Sequence, residues 1–401
     1  MTDILIARPA PSAADLERWL DADRVARPLR LVGLRARMAE EGVGAYFGVR
    51  RENIRYLTGF ELGEGEEKVA GYSGQFLVSA GELAILADSR YSVQAREQAP
   101  EARLERIYND LFSRWPELIA SVGSPKRVAV EAGFVSHATW GKLAAAAPDV
   151  ELVPAEGWVE ALRQVKEPAE LERVASAAAV ADHALERLLP SIRAGVTEHE
   201  LAMQLEWEMR TNGAEALAFD VAVLSGPRAA LPHGSPGTRQ VREGEVLLFD
   251  FGAQVCGYRS DMTRTLFVGH PARRDLEIYE LVARAQQAAI DAIAHAIAEG
   301  SRPSGRAIHI VASDVIAQAG HGDHFGHGLG HGIGLATHEL PSLGMSAADT
   351  PLPSPTVFSV EPGVYLDDET GVRIEDLILL DADAGRVDRI TLFPREVSVV
   401  E

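Results

Sequence analysis

The chain has 401 residues, 46% hydrophobic and 24% charged, with a formal net charge of -20. That length supports two or three domains with a large core, and the acidity argues against a nucleic-acid-binding surface. One cysteine excludes an intrachain disulfide, no apolar run reaches the roughly 18 residues of a membrane span, and the first residues lack the basic and apolar regions of a secretion signal, so a cytoplasmic protein is expected.

Residues 1–160 read as an α/β domain. Leu31, Leu34 and Met38 mark one face of a helix that Gly42 can end. β-type runs follow at Gln75–Ser79, Leu83–Ala87 and Arg127–Glu131. The polar, glycine-rich stretch 61–75 reads as a loop. Residues 157–167 lead into a new helical pattern, and 161–401 form the second domain.

That domain repeats itself in element order. A helix over 168–189 is followed by one that opens with Thr197-Glu198-His199-Glu200, a capping box in which Thr and Glu satisfy orphan N–H groups reciprocally. An apolar strand at 219–224 precedes a hairpin over 245–268 carrying Asp250 and Asp261. The second half runs similarly: helices over 276–299 and 305–318, a His/Gly segment, and a hairpin over 357–380 carrying Glu361 and Glu375. Two such units predict a pseudo-symmetric α+β domain with its site between the halves. Asp250 and Asp261 are equidistant from a turn at Val255-Cys256, and Glu361 and Glu375 from one at Asp368. Each pair is therefore expected to lie opposite on one face.

Four carboxylates in apolar β-type segments carry a large desolvation penalty unless their charge is compensated. Two divalent cations would balance them, and a neutral imidazole in Gly330-His331-Gly332-Ile333-Gly334 adds a nitrogen donor. Taken singly, each acid would be a solvated strand residue; the conjunction points to a metal centre. Carboxylates with one imidazole suit Mn²⁺, Co²⁺ or Zn²⁺. Of the four histidines between 321 and 331, His331 is taken as the ligand, His327 as a supporting or packing residue, and His321 and His324 as surface. Glycines at 328 and 330 fit close packing of an extended segment and not a zincin-type helix. His233 and His338 are candidate substrate contacts. Cys256 is read as a turn thiol without redox function.

Asp250-Phe251-Gly252, Ser260-Asp261-Met262-Thr263-Arg264-Thr265, Gly330–Gly334, His338-Glu339, Val360-Glu361-Pro362-Gly363 and Arg373-Ile374-Glu375 resemble the Xaa-Pro peptidases, the prolidases and aminopeptidases P of the "pita-bread" metallopeptidase superfamily. Asn53 to Phe60 resembles that family's N-terminal domain. The resemblance implies an α/β N-terminal domain before a pseudo-two-fold pita-bread catalytic domain. It also implies two divalent metals, manganese first, held by Asp250, Asp261, His331, Glu361 and Glu375. Glu361 would be the proton shuttle, His233 would stabilise the carbonyl oxyanion, and His338 would contact the prolyl group. Arg373 would orient the carboxylates, and Tyr365 matches a tyrosine often found there. The expected activity is hydrolysis of N-terminal Xaa-Pro bonds in short peptides, by a homodimer joined through the N-terminal domain. Arg50, Arg51 and Arg55, placed in a loop before Leu57-Thr58-Gly59-Phe60, could close the site around a dipeptide carboxylate and tilt the expectation to prolidase over aminopeptidase P. A binding module reusing the fold is the alternative of another class.

Overall fold

The computed structural model describes residues 10–62, 73–396 and 399–400. They form two compact units, Arg18–Arg163 and Gln164–Glu401 with the residues up to Glu17. Residues 63–72, most of the stretch expected to be a loop, lie outside the described residues.

The N-terminal unit runs α1 (Ala13–Glu40), β1 (Ala45–Gly48), α2 (Arg51–Thr58), β2 (Gln75–Ser79), β3 (Leu83–Ala87), α3 (Ser92–Gln98), β4 (Arg103–Arg106), α4 (Leu111–Ser121), β5 (Arg127–Glu131), α5 (His137–Ala146), β6 (Glu151–Ala155) and α6 (Trp158–Arg163). Its six strands form one mixed sheet, β4-β3-β2-β1-β5-β6. β2, β3 and β5 fall on the apolar runs that predicted them, because strands buried on both faces read as continuous apolar stretches. Trp115 of α4 meets Phe47 of β1 edge-on at 5.0 Å within the core.

Two local features go beyond the sequence reading here. α1 begins well before Leu31 and runs through Pro28, although an interior proline costs a helix about 3 kcal/mol. Tertiary contacts outweigh it: Trp19 and Ala26 are buried, and Arg30 donates to the Tyr56 carbonyl at 2.8 Å while stacking on that ring. The arginines before Gly59 are not in a loop either. Arg51 and Arg55 lie in α2, which Arg50 precedes as N-cap and Gly59 ends in the left-handed region at φ 79°. Glu131 accepts the N–H groups of Val49 and Arg50 at 2.6 and 2.7 Å, which fixes the helix entry.

The C-terminal unit runs α7 (Pro168–Leu188), α8 (Glu198–Thr211), β7 (Ala216–Leu217), β8 (Ala222–Ser225), β9 (Val246–Phe251), β10 (Ala253–Val255), β11 (Tyr258–Arg259) and β12 (Met262–Val268). It continues with α9 (Arg273–Ala298), α10 (Gly305–Gln318), β13 (Gly330–Gly332), β14 (Glu339–Leu343), β15 (Thr356–Val360), β16 (Gly363–Leu366), β17 (Thr370–Arg373), β18 (Asp376–Asp381), β19 (Arg386–Arg389) and β20 (Val399–Val400). The repeat in element order is present: β8 lies beside β9 in one sheet, β20-β12-β9-β8, and β13 beside β15 in the other, β14-β13-β15-β18-β19. The Thr197 capping box forms with both reciprocal bonds. The strand expected at 219–224 is shorter and later, Ala222–Ser225, and Ala216–Leu217 form a separate strand paired with β10.

Hairpin register decides where the acids go. In the second hairpin Val360 pairs with Asp376 and Gly363 with Arg373, so Glu361 and Glu375 face each other across a break in the ladder, as expected. The first hairpin turns at Cys256-Gly257, both at positive φ (46° and 80°), the two-residue form that matches strand twist. That turn sits one residue later than expected. Asp250 therefore pairs with Thr263, not Asp261, and the two aspartates are offset by two residues. A two-residue offset preserves the face. Among the described residues no helix is long and apolar enough to cross a membrane.

Candidate metal centre

Strand β13 carries His331 between β14 and β15, and its glycines let the three backbones close up. A side chain at Gly330 would collide with the Ser359 carbonyl, and one at Gly332 with the Leu340 carbonyl. The alternation Gly-His-Gly thus points a single imidazole at the second hairpin. Its Nδ1 lies 3.1 Å from the Gly332 carbonyl, to which an N–H there donates. Burial holds this histidine below its ordinary pKa, so the ring is neutral and Nε2 presents a lone pair. That nitrogen lies 3.3 Å from Glu361 Oε1 and 3.7 Å from Asp261 Oδ2.

Asp261, His331 and Glu375 each place a ligand atom within 4.8 Å of the others. Asp261 is 5% exposed and Glu375 1%, yet Asp261 Oδ1 and Glu375 Oε1 have no hydrogen-bond partner. Both carboxyls are pushed well above the usual range, first by burial and then by neighbouring acids, Glu375, Asp250 and Glu361 around Asp261, and Glu361 and Asp250 around Glu375. Burial also raises Glu361 to about 7, against the opposing pull of Arg373. Arg373 alone cannot neutralise four carboxylates. Orphaned oxygens and an imidazole lone pair converging on one point are repulsive unless a cation lies between them. The donor set, oxygen with one nitrogen, fits a hard or borderline divalent ion.

The surrounding bonds hold these donors in place, and they cross between the hairpins. Arg373 of the second donates through Nη2 to Asp250 of the first at 2.6 Å, and through Nε to Thr263 Oγ1 at 2.9 Å. Thr263 in turn donates to Glu375 Oε2 at 2.8 Å. Ser359 Oγ donates to Glu361 at 2.9 Å and accepts the His331 N–H at 3.0 Å. Thr263 and Ser359 have no role in the sequence reading. Their signal was spacing, each two residues from an acid and hence on its face.

The Tyr365 hydroxyl lies 2.8 Å from Arg373 Nη1 and 2.9 Å from His327 Nε2. His327, held to about 4 chiefly by burial, is neutral and accepts from that hydroxyl. His338 is exposed and packs against His331 at a 51° tilt, ring centroids 4.2 Å apart. His233 is exposed in the loop after β8, whose Pro232 carbonyl accepts from Arg373 at 3.4 Å. His233 lies within electrostatic range of Glu361, His327 and His338. His321 and His324 are partly exposed, their Nδ1 atoms 3.4 Å apart. Glu339, next to His338, forms a buried ion pair with Lys166 at 2.7 Å that the sequence did not signal. Within the N-terminal unit, Arg50 binds Glu52 at 3.0 Å and Glu160 at 2.9 Å and lies over the Phe134 ring. Arg51 starts α2 half-buried.

Comparison with known proteins agrees with this geometry. Residues 172–382 match Metallopeptidase family M24, and residues 30–165 match the Creatinase/Prolidase N-terminal domain. The chain is 34% identical to the peptidase YqhT of Bacillus subtilis (strain 168), over 93% of this chain and 100% of that one. It superposes on an Xaa-Pro dipeptidase from Bacillus anthracis with TM-score 0.83 at 32% identity, covering 93% of this chain and 99% of that one. An X-Pro aminopeptidase from Thermotoga maritima MSB8 gives TM-score 0.80 at 33% identity, covering 92% and 98%. The chain belongs to metallopeptidase family M24, hydrolases that use divalent metal, with an α/β N-terminal unit before a pita-bread catalytic unit.

Proposed function

We propose that this protein hydrolyses the Xaa-Pro bond of dipeptides, using two divalent ions, manganese first, held by Asp250, Asp261, His331, Glu361 and Glu375. The observation that carries the reading is the pair of buried, unpartnered oxygens, Asp261 Oδ1 and Glu375 Oε1, grouped with His331. Bound at these donors, divalent metal supplies Lewis-acid polarisation of a carbonyl and a lowered pKa for water. Such help is what this bond needs: its nitrogen is a tertiary amide without an N–H, and its ring obstructs ordinary extended binding.

The chain's own groups do the rest. Glu361 takes a proton from the attacking water and returns it to the departing prolyl nitrogen. His233, next to the Pro232 carbonyl that accepts from Arg373, donates to the carbonyl oxygen as charge develops there. His338 lines the prolyl side over the His331 ring. Arg373, steadied by Tyr365, holds Asp250 and Thr263. Relatives of this chain support the dipeptide preference, among them the Bacillus anthracis Xaa-Pro dipeptidase. Arg50 supports it less than the sequence suggested, since Glu52 and Glu160 already engage its charge. The single cysteine favours a cytoplasmic setting. Exposed Val25, Leu29 and Val32 on α1, at 73%, 70% and 60%, suit a homodimer through the N-terminal unit. Replacing Val25 and Leu29 by Glu should then yield monomers in sedimentation.

The test compares Ala-Pro, Ala-Pro-Ala and Met-Ala with Mn²⁺ added. Ala-Pro should be cleaved fastest and Met-Ala hardly at all. Equal rates on the tripeptide would replace dipeptidase with aminopeptidase, and no Ala-Pro cleavage would overturn the reading. His331→Ala should stay folded with less than about a tenth of parental turnover at saturating metal.

A further inference from the structure

The second hairpin's ladder stops where its two acids stand. Pairing resumes at Val360–Asp376 on one side and Gly363–Arg373 on the other, leaving Glu361, Pro362, Ile374 and Glu375 between. Pro362 has no N–H to give a ladder bond. Across the break the two strands keep one long bond, from the Ile374 N–H to the Pro362 carbonyl at 3.5 Å, so pairing holds the two glutamates only loosely.

A third element spans that break. Gln286, on α9 and 1% exposed, reaches the carbonyls that immediately precede both acids: Nε2 donates to Val360 O at 3.1 Å and to Ile374 O at 3.2 Å. The same nitrogen lies 3.0 Å from Asp376 Oδ2, one residue beyond Glu375. Three acceptors share two hydrogens, so at least one bond is forked. The amide has a single tenable orientation. Flipping it would set Oε1 against three oxygens and Nε2 against the guanidinium of Arg395, which now donates to Oε1 at 3.1 Å. Asp376 is itself pinned by Arg264 at 2.7 Å and Thr391 at 2.6 Å. Gln286 is thus tied to a rigid point while it bridges two backbones.

We propose that Gln286 is a positioning residue for the metal centre, setting the spacing of Glu361 and Glu375 by clamping their preceding carbonyls together. This rests on the metal-centre reading above. Groups that orient metal donors typically change affinity or activity about 10- to 100-fold when lost. A merely structural amide would instead lower stability alone.

The experiment titrates chelator-stripped protein with Mn²⁺ by calorimetry and records the melting temperature of each variant. Gln286→Met keeps length and loses both hydrogens. Gln286→Asn keeps the amide but is one carbon too short to reach both carbonyls, and it serves if the Met variant does not fold. Val282→Ala, one turn away in the buried face of α9, supplies a matched loss of packing. Both Gln286 variants should bind Mn²⁺ about 10- to 100-fold more weakly than parent, while Val282→Ala binds within about twofold. Parental affinity in either folded Gln286 variant, or equal weakening in Val282→Ala, overturns the proposal. A parent that binds no Mn²⁺ would instead overturn the metal-centre reading itself.

Discussion

Asp88 in the N-terminal unit and Asp261 in the C-terminal unit are the same residue, 3% and 5% exposed, and their carboxyls move in opposite directions. Asp88 is lowered to about 2, led by its bond from Arg90 and opposed by burial. Ser73 also donates to it at 2.8 Å, and the Arg90 N–H at 2.8 Å. Asp261 is raised by burial and by three neighbouring acids, and its Oδ1 accepts nothing. Burial alone does not distinguish them; the partner list does. Glu131 carries only the geometric half of that contrast: burial raises its carboxyl as it raises that of Asp261, yet both its oxygens are bonded, by Tyr46 and Asn53 on one and by two backbone N–H groups on the other. A buried acid whose oxygens are all engaged serves the fold, and one left open is shaped for something it binds.

The largest test of that contrast is Asp261→Asn. Turnover should drop at least about 100-fold, because a metal donor is lost. The chelator-treated protein should melt no lower than parent, since the substitution removes an uncompensated buried charge. A variant that is both inactive and markedly less stable without metal would break the comparison. Next in size is Arg373→Lys. The charge remains but the fork that joins Asp250, Thr263 and Tyr365 does not. Turnover should fall about 10- to 100-fold with Mn²⁺ still bound, as read by steady-state kinetics beside calorimetry.

Sequence pattern reached the acids, the imidazole and most strands because those depend on local period and turn chemistry. In the second hairpin the turn around Asp368 keeps both strands in step, so counting outward from it pairs Glu361 with Glu375 correctly. The same count failed in the first hairpin by the one-residue placement of Cys256-Gly257. The start of α1 was not legible, because the helix continues through Pro28 on contacts such as the bond from Arg30 to the Tyr56 carbonyl, 26 residues away. Gln286 was invisible for the same reason. Nothing local marks a glutamine in an amphipathic helix, and its partners stand 74 to 90 residues away.

The smallest expected effect concerns Asp88, and its pH dependence gives the sign. A carboxyl depressed in the folded state stabilises fully above its unfolded pKa, near 3.8. That contribution is lost as pH falls through the folded value of about 2. The shift corresponds to about 2.4 kcal/mol at most, and the half-exposed Arg90 partner, 56% accessible, is screened by water, so about 1–2 kcal/mol is the reasonable expectation. Asp88→Asn should therefore lose about 1–2 kcal/mol in urea unfolding at pH 7, with metal-dependent turnover unchanged. The deficit should stay flat down to about pH 5 and narrow below pH 4. A deficit that instead grows with acid, or that appears only when metal is bound, would mean that Asp88 is not the self-contained counterpart of Asp261 that its bonds describe.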